Sequence, residues 1–359
     1  MILLLRSFVC ARLHGQALIV LSAVAFWLGC QTRALWALDL QTVNAAELSQ
    51  RRAQGAKGLD PGIVKAQVLL DRARFSPGEI DGRMGENLVK AITAFAAARG
   101  LSGDRHPTPE LWSALASTSS DPALVEYTIT EGDVRGPFLD RVPAKMEQMR
   151  GLHRLSYGSA VEALAEKFHM SEALLKALNP KSSFQVGQAI VVANVTDEIG
   201  DTKVARIEID KSERVLRAYN KAGELVSVLP ATVGSTEKPA PTGTFRVTNI
   251  TRNPTYRYNP AYAFKGVKAT EPFVINPGPN NPVGVVWIAL SAKSYGIHGT
   301  PNPSQVSKTE SNGCVRLTNW DAKQLAAMVT KGTTVDFIGT EASRASAKRG
   351  TKSRQANRR

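Results

Sequence analysis

The sequence YGIHGT at residues 295–300 and the sequence SNGCVRL at residues 311–317 decide how this chain is interpreted. A loop rich in Pro, Asn, Ser and Lys (301–310) separates them. A thiol becomes a nucleophile when a nearby base takes its proton, and histidine is the side chain best suited to do this near neutral pH. Because His298 and Cys314 lie 16 residues apart, a loop that returns on itself can bring the imidazole to the thiol.

The surroundings of Cys314 favour a reactive thiol over a buried, inert one. Free cysteines are among the most buried residues, and a single histidine is more often structural than catalytic. Here, however, two polar residues and Gly313 precede Cys314, which is typical of a loop. Glycine lets the backbone approach a substrate closely, and consecutive N–H groups in such a turn can point at a developing oxyanion. The joint pattern therefore predicts a nucleophilic cysteine with a histidine base.

HGT followed by S-x-G-C-V-R resembles the active-site signature of the YkuD-type L,D-transpeptidases, which are penicillin-insensitive enzymes that cross-link the cell wall. The sequences PTGTF (241–245) and PGPNNPVG (277–284) also look like segments of this family. The resemblance covers about residues 203–339. It implies a β-sandwich-like catalytic domain, which we assign to residues 202–339.

The resemblance implies that Cys314 is the nucleophile and that His298 is the general base and acid. The carbonyl of Gly299 would orient the imidazole, in the role of the third member of a catalytic triad. Papain-like and NlpC-type peptidases are the nearest rivals, but their cysteine precedes their histidine. Chain order is a modest argument, because the same constellation recurs in several orders on unrelated folds.

Residues next to the nucleophile complete the site that the resemblance implies. The backbone N–H groups of Gly313 and Cys314, together with Asn312, would line the oxyanion hole. Ser311 and Arg316 would shape the substrate site. Arg316 is the natural partner for a substrate carboxylate, because a guanidinium can bind it through two parallel hydrogen bonds. Asn312 stands where many members of the family have histidine, so no proton-transfer role is assigned to it.

The implied reaction is a ping-pong acyl transfer through a cysteine thioester. Attack by the amine of a second stem peptide gives a 3→3 cross-link, and attack by a lysine of an acceptor protein attaches that protein to the wall. Attack by water gives L,D-carboxypeptidase activity, and a wall-binding protein with a catalytically silent domain is the alternative from another class. The expected partners are peptidoglycan stem peptides and glycan strands. No metal or organic cofactor is implied.

Local patterns predict a multidomain α+β protein. Short stretches rich in β-branched residues predict strands, at 203–210, 213–220, 224–233, 243–249 and 284–290. Residues 319–332 predict a helix that Asn319 caps, and residues 333–338 predict a last strand. The segment 251–282 lacks periodicity. It is interpreted as a long loop or lid over the substrate cleft, with an ordinary surface insertion as the alternative.

Residues 59–118 resemble a small three-helix peptidoglycan-binding domain. Asp60 and Pro61 are typical of the cap and first position of a helix, and a DGxxG turn (81–85) precedes the predicted second helix. The resemblance implies binding to the wall. A helical spacer that binds nothing is the alternative, because a fold by itself does not establish a site.

Residues 125–196 resemble a LysM wall-binding module, which consists of a strand, two short helices and a second strand. About 20 residues, GPFLDRVPAKMEQMRGLHRL (136–155, called the insert below), follow the first strand. They are expected to form an outer loop. No chemistry is assigned to His153 or His169, because a single histidine is usually structural or solvated.

Residues 1–37 are typical of an export leader. Arg6 and Arg12 precede an apolar run (16–29) that is short for a membrane span of roughly 20 residues but fits the core of a signal peptide. A cleaved leader, an uncleaved anchor in the inner membrane and lipidation are the alternatives. We therefore expect an exported protein of the periplasm or cell envelope, with a linker at residues 38–58.

Composition limits the remaining classes. Hydrophobic residues make up 43% and charged residues 21%, which excludes a mostly disordered or collagen-like chain. Two of the three cysteines (Cys10 and Cys30) lie in the predicted leader, so no disulfide framework or zinc-finger spacing remains.

The formal net charge of +14 comes mostly from the two ends of the chain. The leader carries three arginines and no acidic residue before Asp39, and the tail (340–359) carries seven basic residues and one acidic residue. The tail is expected to be disordered and to approach anionic wall or membrane surfaces, with a merely solubilising tail as the alternative. It lacks aromatic platforms and a basic folded face, so no nucleic-acid partner is expected.

Overall fold

The computed structural model describes most of the chain between residues 38 and 340. The described ranges are 38–47, 58–103, 108–196, 200–235, 237–262 and 266–340, and they belong to one compact unit that begins at Leu38. The predicted leader and nearly all of the predicted basic tail lie outside the described residues. Among the described residues, every helix is too short or too polar to cross a membrane.

Helices form the first part of this unit. They are α1 (Leu40–Asn44), α2 (Pro61–Arg72), α3 (Glu86–Ala98) and α4 (Pro109–Ala116). As predicted, Asp60 caps α2, because its carboxylate accepts hydrogen bonds from the backbone N–H groups of Gly62 and Ile63. The apolar faces of α2, α3 and α4 share one core around Leu70 and Phe95. The three predicted helices are therefore present, and α1 lies in the stretch predicted to be a linker.

The second part pairs strand β1 (Leu124–Thr128) with strand β2 (Ala189–Ala193) in antiparallel orientation. Between them lie the short helices α5 (Glu131–Val134), α6 (Met146–Met149), α7 (Ala160–Lys167) and α8 (Glu172–Leu178). Helices α7 and α8 are the two predicted from the sequence, and serine side chains cap both of them. Helix α6 lies inside the insert, so the insert has secondary structure of its own.

The remaining elements form the predicted β-rich catalytic domain. Its strands are β3 (Arg206–Asp210), β4 (Val215–Tyr219), β5 (Leu225–Pro230), β6 (Thr232–Val233), β7 (Gly243–Arg252), β8 (Tyr256–Tyr258), β9 (Phe273–Ile275), β10 (Val286–Leu290), β11 (Gly296–His298), β12 (Val315–Arg316) and β13 (Thr334–Ile338), and its α-helix is α9 (Asn319–Met328). Nine strands form one mixed sheet in the order β5–β4–β3–β13–β7–β10–β11–β12–β6. Strands β8 and β9 form a separate antiparallel hairpin.

The nine-stranded sheet curls until its two edges meet. Strand β5 lies at one edge and β6 at the other, yet only Ala231 separates them along the chain. Consecutive Cα atoms are about 3.8 Å apart, so the two edges must lie close together and the sheet must enclose a core. That core includes Ile207, Ile288, Ile297 and Val315. The single strand predicted for residues 224–233 is therefore wrong, because the chain changes edges at Ala231.

Three other predicted details differ from the structure. Helix α9 ends at Met328, because Val329 is already extended, and Thr318 rather than Asn319 caps it. The segment 251–282 is not structureless, since it contains the β8–β9 hairpin. The short strands β11 and β12 were not predicted, because two or three residues are too few to show a period.

The stretch between α2 and α3 joins all three parts of the unit. Phe75 forms a parallel bridge with Val228 of β5, and Ile80 forms another with Met170, just before α8. The first bridge covers part of the exposed edge of the large sheet, where unpaired backbone groups would otherwise remain. The large sheet and the β1–β2 part therefore both make backbone hydrogen bonds to the same seven-residue stretch (74–80) of the helical part.

Candidate active site

Four neighbouring strands place one row of side chains on the same face of the large sheet. Thr251 of β7 pairs with Trp287 of β10, and Trp287 pairs with His298 of β11. His298 in turn pairs with Arg316 of β12. Residues directly opposite each other on paired strands point to the same side. The row therefore places the predicted base beside the predicted carboxylate-binding residue.

The alternation of side chains along β12 places Cys314 on this same face. Successive side chains in a strand point to opposite faces, and Val315 and Leu317 are fully buried in the core. Cys314 and Arg316 therefore face the other side. There they line a cleft of about 600 Å³ together with His298 and Asn312.

His298 is buried in the cleft, with 4% of its surface exposed. Its Nδ1 atom lies 2.6 Å from the carbonyl oxygen of Gly299. Because a carbonyl can only accept a hydrogen bond, Nδ1 carries the hydrogen and Nε2 keeps its lone pair. The indole of Trp287 stacks on the imidazole, with ring centroids 5.4 Å apart. The backbone and Trp287 thus fix both the tautomer and the orientation of the ring.

Burial has opposite effects on the two groups that would exchange a proton. Burial, and next the nearby positive charge of Arg316, lower the pKa of His298 to about 3. Burial raises the pKa of the Cys314 thiol, whereas the Gly296 N–H group and the charge of Arg316 act in the lowering direction. At neutral pH both groups are therefore neutral, as a thiol and an imidazole.

The turn before Cys314 has the geometry that only glycine adopts readily. Gly313 has a φ of +99°, and a Cβ atom there would lie 2.7 Å from the ring of Tyr295. The hydroxyl of Ser311 donates a hydrogen bond of 2.5 Å to the carbonyl oxygen of Cys314. The sulfur of Cys314 lies 3.9 Å from the carbonyl oxygen of Ser294. Ser311 therefore fixes the backbone of the turn instead of facing the cleft.

The cleft carries positive charge. Arg316 donates a hydrogen bond of 3.2 Å to the carbonyl oxygen of Glu310, and burial lowers the pKa of its guanidinium. Lys238 and Arg257 also line the cleft, and none of its described lining residues is acidic.

Several residues that line the cleft were missed by sequence reasoning. They are Met146, Trp287, Ser294 and Tyr295, whereas Pro254 and Tyr256 belong to the segment 251–282 that was expected to lie over the substrate cleft. Trp287 lies in a predicted strand, and alternation with Ile288 could have indicated which face it points to. Met146 gave no signal, because it lies in the insert, more than 150 residues before the nucleophile.

Residues 204–337 match the L,D-transpeptidase catalytic domain of the YkuD family. YkuD of Bacillus licheniformis is 30% identical over 189 residues, which are 52% of this chain and 98% of that relative. This chain belongs to the YkuD family of L,D-transpeptidases. In this member of the family the matched residues run from just before β3 to one residue before the end of β13, and they include His298 and Cys314.

Two further proteins are similar to this L,D-transpeptidase. YbiS of Escherichia coli is 31% identical over 183 residues, which are 50% of this chain and 60% of that relative. Among solved structures, L,D-transpeptidase 3 from Mycobacterium tuberculosis matches with a TM-score of 0.31 and 16% identity, over 37% of this chain and 60% of that one.

Proposed function

We propose that this protein is a peptidoglycan acyltransferase that forms 3→3 cross-links, or attaches proteins to the wall, through a thioester on Cys314. The observation that supports this most directly is the common cleft of Cys314, His298 and Arg316. A thiol, a base with a fixed tautomer and a guanidinium are the groups that acyl transfer on a carboxylate-bearing peptide needs.

The first step forms the thioester. The sulfur of Cys314 attacks the carbonyl carbon of the third residue of a donor tetrapeptide, and Nε2 of His298 takes the thiol proton. The backbone N–H groups of Gly313 and Cys314, with Asn312, hold the negative charge on the carbonyl oxygen. His298 then donates the proton to the departing nitrogen. The C–N bond breaks, the terminal D-Ala leaves as a free amine, and the acyl group stays on sulfur.

The second step transfers the acyl group to an amine. The side-chain amine of a diamino acid in another stem peptide attacks the thioester while His298 removes its proton. The C–S bond breaks, an amide forms, and the thiolate of Cys314 recovers the proton from His298. A lysine of an acceptor protein would react in the same way, and water in its place would give a tripeptide by hydrolysis.

The charge of the cleft supports an anionic peptide as the substrate. Arg316, Lys238 and Arg257 line the cleft without an acidic residue among its described lining residues, and stem peptides carry free carboxylates. Because Arg316 is half-buried and directly beside His298 in the sheet, we assign it the carboxylate nearest the reacting carbonyl.

We propose the other predicted segments as parts of an exported enzyme. The α2–α4 part would act as a peptidoglycan-binding domain, and the β1–β2 part as a LysM-like module that binds glycan strands. The leader would direct the chain to the cell envelope. Because the α2–α4 part and the β1–β2 part lie with the catalytic domain in one compact unit, wall binding by them would hold the cleft close to its stem peptides.

The test is incubation of the purified protein with tetrapeptide muropeptides, followed by mass spectrometry of the products. Cross-linked dimers are expected from the wild type, and Cys314→Ala should give none. Tripeptide alone would support L,D-carboxypeptidase activity. No product from the wild type, or an unchanged product from Cys314→Ala, would overturn the mechanism and favour a wall-binding protein with a silent domain.

A further inference from the structure

The insert (136–155) lies against the β8–β9 hairpin of the catalytic domain. The carboxylate of Glu147, in α6, accepts a hydrogen bond of 2.6 Å from the backbone N–H of Lys268, in the loop of the hairpin. Further along, the side chain of Asn276 donates a hydrogen bond of 2.9 Å to the carbonyl of Leu152. These bonds tie the insert to the hairpin on both sides of β9.

The backbone contact continues past the hairpin. The N–H of Leu155 donates to the carbonyl of Pro277, and the carbonyl of Leu155 accepts from the N–H of Asn280, both at 2.9 Å. Between these bonds the two backbone segments lie so close together that a Cβ atom on Gly278 would be 2.1 Å from the carbonyl oxygen of Leu155. Gly278 also has a φ of +150°. Glycine at this position therefore permits the contact.

An apolar cluster fills the space between the insert and the hairpin. It joins Met149 and Leu155 of the insert to Tyr258, Phe273 and Ile275 of the hairpin, and all five side chains are buried. None of these five residues belongs to the described core that the nine-stranded sheet encloses. The hairpin therefore packs against the insert through a core of its own.

The insert also reaches the reacting side chains. Met146, at the start of α6, lines the same cleft as Cys314 and His298, and Tyr256 and Arg257 of β8 line it as well. Met146 is half-buried. Its unbranched, polarizable side chain fits irregular surfaces. One side of the cleft is therefore built from both the insert and the hairpin.

We propose that the insert forms a wall of the substrate cleft, in which Met146 limits the width of the peptide that reaches Cys314 and α6 holds the β8–β9 hairpin in position. This inference rests on the proposed function, because it takes the Cys314 cleft as the peptide-binding site. It makes Met146 a specificity-determining residue that lies outside the catalytic domain. A bulky acyl donor or acceptor would be admitted or rejected according to the size of the side chain at position 146.

The test measures access to Cys314 with two thiol reagents, iodoacetamide and a maleimide that carries a pyrene ring. Alkylation is followed by mass spectrometry of the peptide that contains Cys314 in the full chain. The ratio of the two rates cancels changes in thiol reactivity that both reagents share. Met146→Ala should raise the ratio of maleimide to iodoacetamide several-fold, and Met146→Trp should lower it. Gln148→Ala is the matched control, because Gln148 is exposed on the same helix and should leave the ratio unchanged.

A second measurement tests the contact with the hairpin. Glu147→Ala should accelerate amide hydrogen exchange over residues 266–278, whereas Gln148→Ala should not. If folded Met146→Ala and Met146→Trp both keep the wild-type ratio of rates, Met146 does not border the path to Cys314 and the inference is overturned. Unchanged exchange in Glu147→Ala would refute the positioning part. Alkylation needs no turnover, so these outcomes are independent of whether muropeptides are cross-linked.

Discussion

The guanidinium of Arg316 acts on both reacting side chains. Its positive charge lowers the pKa of the Cys314 thiol and also lowers the pKa of His298. It therefore favours the thiolate and disfavours the imidazolium. Burial has the larger effect on both pKa values, and the charge of Arg316 modifies it. If a substrate carboxylate neutralises Arg316, as proposed above, His298 would become a stronger base and the thiol a weaker acid.

The first prediction concerns alkylation of Cys314 by iodoacetamide as a function of pH. The rate should rise with pH through a thiol pKa that burial raises above its ordinary value, and it should show no step near 6.5, because His298 is already neutral there. In Arg316→Gln the rise should move to higher pH, which would reduce the rate at pH 8 roughly threefold or more. Arg316→Lys should restore most of it. A faster rate in Arg316→Gln would contradict the assigned effect of the charge.

The second prediction concerns acylation by a carbapenem. We expect the thiol of Cys314 to open the β-lactam ring of a carbapenem, for which imipenem is a suitable probe, and this would increase the intact mass of the protein by the mass of one imipenem. Cys314→Ser should remain unmodified over the same period. His298→Gln should slow the acylation by on the order of 100-fold, which is typical for loss of a general base. Equal rates in the wild type and in His298→Gln would remove His298 from the mechanism.

At the scale of elements, α9 connects the catalytic core to α7. The side chain of Asn319, at the start of α9, accepts a hydrogen bond of 3.2 Å from the N–H of Val285. It donates one of 2.9 Å to the carboxylate of Glu166 in α7 and one of 3.2 Å to the carbonyl of Pro279. Tyr157 donates a further bond of 2.9 Å to Glu166. Asn319 is fully buried, so water cannot readily replace it as the hydrogen-bond partner of these groups.

The third prediction is that Asn319→Leu destabilises the protein by about 3 kcal/mol, since it leaves several buried polar groups without a partner. The measurement is thermal or urea unfolding. Asn249→Leu is the control, because Asn249 is exposed and makes one side-chain bond, to Thr251. It should change stability by less than about 0.5 kcal/mol. Equal losses in the two variants would show that the buried network contributes no special stability.

The role of Asn319 also shows what the sequence could and could not predict. Its position at a helix start suggested a cap, which is a local role, but Thr318 is the cap and Asn319 bonds to residues 34 to 153 positions away. Local sequence signals predicted correctly the features that depend only on neighbouring residues, such as the cap that Asp60 forms at the start of α2. The motif also contains His298 and Cys314 themselves, and the structure places both in one cleft. The position of Met146 in the cleft and the contact between the insert and the β8–β9 hairpin both depend on segments more than 100 residues apart. No local sequence pattern encodes such contacts.

At the scale of the whole molecule, three parts of the unit meet at a buried cluster of ionisable groups. The Nδ1 atom of His169, just before α8, lies 3.0 Å from a carboxylate oxygen of Asp71 in α2. The ring of His169 stacks on Trp320 of α9. Next to Trp320, Asp321 accepts a hydrogen bond of 3.0 Å from Ser76. His169 thus connects the β1–β2 part to both α2 and α9.

The last prediction is a pH-dependent stability that this junction confers. Burial, and next the charge of Asp71, raise the pKa of Asp321 from 3.8 to about 7. Below pH 3.8 the carboxyl is protonated in both the folded and the unfolded chain. As the pH rises from there to about 7, the unfolded chain ionises first, so folding loses stability at about 1.4 kcal/mol for each pKa unit of difference. Asp321→Asn cannot ionise and should escape this loss. At pH 8 the melting temperature of Asp321→Asn should be roughly 5 °C or more above that of the wild type. At pH 5 the difference between the two melting temperatures should be smaller. The control is Asp140→Asn, at an exposed aspartate, which should change the melting temperature equally at both pH values. If Asp321→Asn also changes it equally, Asp321 ionises in the folded chain as readily as in the unfolded one, and the prediction is wrong.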